Sequence, residues 1–134
     1  MKKELNQLIE ILKKRSDVAF AYLFGSRAKE YANKDSDWDV AVFFSKLPKK
    51  LTHWPEFELE AELSRGVGET VQVIVLNTEL SPVFSFEILK HGILLLDRDE
   101  NLRINFENRI VRQYYDWQYF LKRQIEAERN SAST

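Results

Sequence analysis

The chain has 134 residues, enough for one hydrophobic core and too few for two, so a single domain spanning 1–134 is expected. Its 20 basic and 21 acidic residues leave a net charge of -1, so no overall positive field draws it to nucleic acid, and direct nucleic-acid binding is not expected. The lack of cysteine excludes disulfides, thiolate metal sites and cysteine nucleophiles. No apolar run approaches the roughly 20 residues of a membrane span, and Glu4, Asn6, Gln7 and Glu10 interrupt any signal-peptide core, so a cytoplasmic protein with no membrane contact is expected.

In chain order, Leu5, Leu8, Ile9 and Leu12 fall on one face of a helix over 3–15, its other face rich in lysine and glutamate. Val18 to Phe24 is almost wholly apolar, the pattern of a strand buried on both sides. The turn at Gly25-Ser26, just before a short helix from Arg27 to Tyr31, offers free backbone N–H groups and a hydroxyl to an anion. Ten residues after Ser26, a second strand begins at Asp37-x-Asp39 and continues apolar to Phe44. Strand side chains alternate, so Asp37 and Asp39 share one face and Trp38 and Val40 the other. At a Cα spacing of roughly 6 to 7 Å, the two carboxylates can converge on a divalent ion. A solvated acidic loop from Asp35 to Asp39 also accounts for the turn residues. It does not account for two like charges at the start of an apolar strand, where their repulsion costs stability unless a cation is present.

GSRA followed by DSDWD, with Gly25, Ser26, Asp37 and Asp39 at the Gly-Ser-(ten residues)-Asp-x-Asp spacing, resembles the minimal nucleotidyltransferases of the polymerase-beta-like superfamily. Within it, the chain is most similar to the MNT antitoxins encoded beside small helical HEPN toxins. The similarity extends through VQVIVLN, FEILKHGILLLDRD and RQYYDW. The resemblance implies a nucleoside triphosphate, ATP, bound at Gly25, Ser26 and Arg27. It also implies Mg²⁺ held by the catalytic pair Asp37 and Asp39. The acceptor it implies is a tyrosine on a HEPN toxin partner, silenced by adenylylation.

Beyond the motif, Lys46 to Lys50 with Pro48 mark an exposed turn, where Lys49 and Lys50 read best as solvated charges. His53 reads as a surface residue, since no partner stands at metal-ligand spacing. Pro55 to Arg65 is expected to be a helix, with proline in its first turn and Gly66 past its end. Glu69 to Leu76 reads as a third strand. The resemblance places a third carboxylate on this strand, and the residue there is Gln72. A glutamine is neutral and cannot take the proton of an attacking hydroxyl, and losing a general base costs about 10²- to 10⁴-fold in rate. Asp35, Glu69, an already acidic acceptor or a single-metal mechanism could each compensate. An antitoxin that acts by docking alone, with little transfer, is the alternative function. Transfer to a small molecule, as in aminoglycoside nucleotidyltransferases, lacks an obvious second domain for the acceptor.

Ser81-Pro82 starts a helix through Lys90, ended by Gly92 before a strand from Ile93 to Leu96, and His91 suits the helix C-terminus. Asp99 or Asn101 caps a long last helix over 98–129, followed by a disordered tail at 130–134. Its stripe of Leu102, Phe106, Ile110, Trp117, Leu121 and Ile125 is broadened by Tyr114, Tyr115, Tyr119 and Phe120. Packing of this belt on the domain's own core is one reading; because the helix is longer than its own sheet requires, apolar surface left for a partner from Tyr115 to Ile125 is the other, equally weighted. The whole order predicts an α/β (α+β) fold: a small mixed sheet of about four strands flanked by helices, of the polymerase-beta-like nucleotidyltransferase kind.

Overall fold

The computed structural model describes residues 2–28, 37–47 and 54–132. In order, the elements are α1 (Lys2–Lys14), β1 (Val18–Phe24), a 3₁₀ turn (Ser26–Ala28), β2 (Trp38–Phe44), α2 (Pro55–Val67), β3 (Val71–Val75), α3 (Pro82–His91), β4 (Ile93–Asp97) and α4 (Glu100–Ala132). The strands form one mixed sheet in the order β3-β2-β1-β4, with β2 and β3 parallel and both other pairings antiparallel. The two interior strands, β1 and β2, are the most apolar segments, as expected where both faces are covered.

Alternation along β2 divides the core in two. Trp38, Val40 and Val42 join Leu8 and Leu12 of α1 and Leu59 and Leu63 of α2 on one face. Ala41 joins Phe20, Tyr22, Ile88 of α3, and Phe106 and Ile110 of α4 on the other. The result is a helix–sheet–helix sandwich, and its register decides what meets at the sheet's end. Asp39 lies opposite Phe24 at the end of β1 and beside Gln72 at the start of β3.

Several local expectations hold and a few shift. Ser81 caps α3 by accepting from the Phe84 N–H at 3.1 Å, and Asp99 caps α4 by accepting from the Leu102 N–H at 3.1 Å. Gly66 was expected to end α2, but the helix runs on to Val67. Gly68 is the terminator, at φ 79 with its N–H donated to the Ser64 carbonyl at 2.8 Å. Gly66 has a packing role instead: a methyl group there would collide with the Ile11 side chain of α1. The third strand is shorter than expected, and Glu69 stands outside it.

The last helix continues past 129, so Asn130 to Ala132 are helical, not a loose tail. Its 33 residues extend about 50 Å. The first half is tied to the sheet. Arg103 bridges Asp97 at 2.7 Å and Glu107 at 3.0 Å, and Tyr22 donates its hydroxyl to Glu107. The Tyr114 ring lies flat on Phe86 of α3 at 3.9 Å. From Gln118 to Ser131 every residue is exposed, including Tyr119, Phe120, Leu121 and Ile125. Among the described residues no helix is long and apolar enough to cross a membrane.

Candidate active site

The bend after β1 and the acid on β2 are packed against each other. Gly25 takes φ 75, a left-handed conformation that costs other residues strain, and a methyl group on its Cα would collide with Asp39 Oδ2. The absent side chain therefore makes room for the carboxylate. Ser26, exposed, opens the 3₁₀ turn, which is closed by the Ala28 N–H donating to the Gly25 carbonyl at 3.2 Å. Asp37 immediately precedes β2 and is exposed. Partial burial, and then the negative charge of Asp37, hold the Asp39 carboxyl above the usual carboxylate range. Two acids thus repel each other beside a turn, where a cation relieves the repulsion.

The donor set suits Mg²⁺. That ion is commonly held by one or two carboxylates, with substrate phosphates and water completing its octahedron. Among the described residues no group of three His, Asp or Glu side chains is arranged to hold a metal ion, so Asp37 and Asp39 are the candidate pair there.

Arg27 turns toward the Trp38 side of the sheet. Its guanidinium is buried, 3.3 Å from Glu69 and 4.6 Å from the centre of the Trp38 ring. Glu69 also accepts from the Trp38 indole N–H. Trp38 and Asp39 are neighbours on one strand and face opposite sides of the sheet. Arg27 thus pins the turn from behind, in a role that sequence spacing does not reveal because Glu69 lies 42 positions away. The same pairing takes Glu69 to the side opposite Asp39, so it does not stand in for a third acid there.

Gln72 sits where the register argument requires. It is exposed, pairs with Asp39, and lies between Val71 and Val73, both buried toward the opposite face. Adjacent strands are about 4.8 Å apart, so the amide and the Asp39 carboxylate are side by side. Asp35, the remaining candidate substitute, lies outside the described residues, as do Tyr31, Pro48, Lys49, Lys50 and His53. His91 pairs with Glu87 at 3.5 Å along α3, in keeping with a structural role at the helix end.

The structure thus presents a glycine-serine bend against an Asp-x-Asp pair at one end of a mixed sheet. The family described as polymerase beta, nucleotidyltransferase matches residues 6–101, and the chain belongs to that family. The match includes the bend, both aspartates and Gln72, and ends as α4 begins.

Solved structures share the fold over nearly their whole length. A toxin-antitoxin complex with AMP-PNP superposes with a TM-score of 0.72 at 21% identity, covering 92% of this chain and 96% of that one. A toxin-antitoxin MntA-HepT structure gives 0.68 at 20% identity, covering 95% and 97%. A tri-AMPylated Shewanella oneidensis HEPN toxin in complex with MNT antitoxin gives 0.68 at 20% identity, covering 94% and 96%. A comparison with curated proteins gave no match.

Proposed function

We propose that this protein is an MNT antitoxin that transfers AMP from ATP to a tyrosine of a HEPN toxin, with Mg²⁺ as the metal. The observation that carries the reading is the Asp39 carboxylate seated against Gly25 with Asp37 beside it. The likeness to toxin-antitoxin complexes, one with AMP-PNP and one with an AMPylated HEPN toxin, supports the choice of nucleotide and partner.

On this reading the Gly25-Ser26 turn receives the triphosphate through backbone N–H groups and the serine hydroxyl. Asp37 and Asp39 would hold the ion. When bound, Mg²⁺ supplies positive charge that offsets the charge developing on the leaving pyrophosphate. The acceptor oxygen forms a bond to the α-phosphorus as the bond to the bridging oxygen breaks and pyrophosphate departs with the electron pair. Gln72 cannot accept the hydroxyl proton, which leaves to another base such as Asp35 or to solvent. Positioning and electrostatics carry such a reaction, so a bend and two acids suffice for much of it. Arg27, Trp38 and Glu69 keep the bend in place from the opposite side of the sheet.

A second reading, docking without transfer, is favoured by Gln72 and by the exposed outer half of α4. One experiment separates the two. The protein is incubated with Mg²⁺, labelled ATP and a HEPN toxin, beside Asp37→Asn and Asp39→Asn. Label on the toxin that disappears with either variant supports transfer. A tight, unlabelled complex that both variants still form supports docking. Tyr119→Ser combined with Phe120→Ser is expected to weaken the complex under either reading while leaving the fold intact.

A further inference from the structure

Phosphoryl-transfer sites with two ions hold them about 3.5 to 4 Å apart, and a pair of dications that close needs anionic ligands between and beside them. Here the β2–β3 register puts an amide, not an acid, beside Asp39. Resting on the transferase reading above, we infer that the site takes a single divalent cation per bound nucleoside triphosphate. Gln72 occupies the β3 position from which a carboxylate would share a second ion with Asp39.

Several observations converge on this. The Gln72 side chain is exposed and next to Asp39, so the position is reachable, and only its chemistry is unsuitable. An amide oxygen carries no charge and competes poorly for Mg²⁺, which gives up its water reluctantly. Glu69, three residues earlier, is held by Arg27 and Trp38 on the other side of the sheet, and drawing it across would strip buried Arg27 of that partner. Finally, no group of three acids able to hold a metal is found among the described residues. The second ion is therefore missing for want of one carboxylate, in a fold otherwise able to present it.

Metal counting tests this without relying on turnover. Mn²⁺ and a non-hydrolysable ATP analogue are titrated into the protein, and bound Mn²⁺ is counted per bound nucleotide by equilibrium dialysis and electron paramagnetic resonance. The expected result is one Mn²⁺ for the natural chain and two for Gln72→Asp, with Gln72→Glu as a second variant should the first fail to fold. Two ions on the natural chain would overturn the inference, and loss of one in Asp35→Asn would identify the acid that holds it. A count of one in both Gln72 variants would overturn the assignment of the missing ligand to this position. Absence of metal-dependent nucleotide binding by the natural chain would remove the transferase reading, and this inference with it.

Discussion

Two successive residues of β2 have opposite electrostatic surroundings. On the Trp38 side, a buried arginine is matched by Glu69 and stacked on the indole, so charge is compensated and the cluster holds the turn. On the Asp39 side, two acids repel each other beside a neutral glutamine, and the Asp39 carboxyl is held above its usual range. A folded chain tolerates uncompensated like charge where a ligand relieves it. The difference therefore separates scaffold from site more sharply than exposure does. It also makes opposite forecasts for the two sides: neutralising a charge should loosen the fold at Trp38 and tighten it at Asp39.

The largest effect is expected from the acids themselves. Removing a preorganised electrostatic group at a reacting centre typically costs about 10²- to 10³-fold in rate. Asp37→Asn and Asp39→Asn are each expected to lose at least that much toxin labelling. Retained labelling in either would show that the pair does not hold the metal.

Next comes the scaffold side. Arg27→Ala removes the stacking on Trp38 and leaves Glu69 and the indole N–H to rearrange, an expected loss of about 2 kcal/mol in urea unfolding. Arg27→Lys should recover only part of it, since an ammonium neither forks nor stacks as a guanidinium does. Stability unchanged in both would mean that the buried arginine is not what secures the turn.

These two sides differ in how far the sequence reveals them. The Asp-x-Asp pair, the glycine-serine bend and the alternation that buries Trp38 are all local patterns, legible from spacing alone. So were both capped helices, because Ser81 and Asp99 act within three residues of their partners. The Arg27–Glu69 contact was not legible, since it depends on β2 and β3 lying in parallel register. The two glycines of α2 were ambiguous for a similar reason. Only the approach of α1 distinguishes Gly66, needed for close packing against Ile11, from Gly68, needed for positive φ.

Gly25→Ala acts on both sides of the comparison. It combines left-handed strain of about 1 to 2 kcal/mol with a collision against the Asp39 carboxylate. It is expected to destabilise by an amount comparable to Arg27→Ala while impairing labelling more, because the acid must move to admit the methyl group. If stability falls but labelling persists, the contact between bend and acid is packing without a catalytic consequence.

The smallest effect sharpens the comparison most, because its sign is opposite. The folded Asp39 carboxyl binds its proton more tightly than an unfolded aspartate, so its contribution to stability is present below the unfolded value and lost as pH rises through the folded one. At neutral pH the charged carboxylate therefore weakens the apo protein. Asp39→Asn is expected to raise Tm. That advantage should shrink as the pH is lowered into the carboxylate range, where the natural residue becomes neutral too. It should also shrink when Mg²⁺ and an ATP analogue are added, which stabilise the natural chain and not the variant. A variant less stable than the natural chain at neutral pH would mean that Asp39 has a fixed cationic partner in the fold, and the two sides of β2 would then both be scaffold.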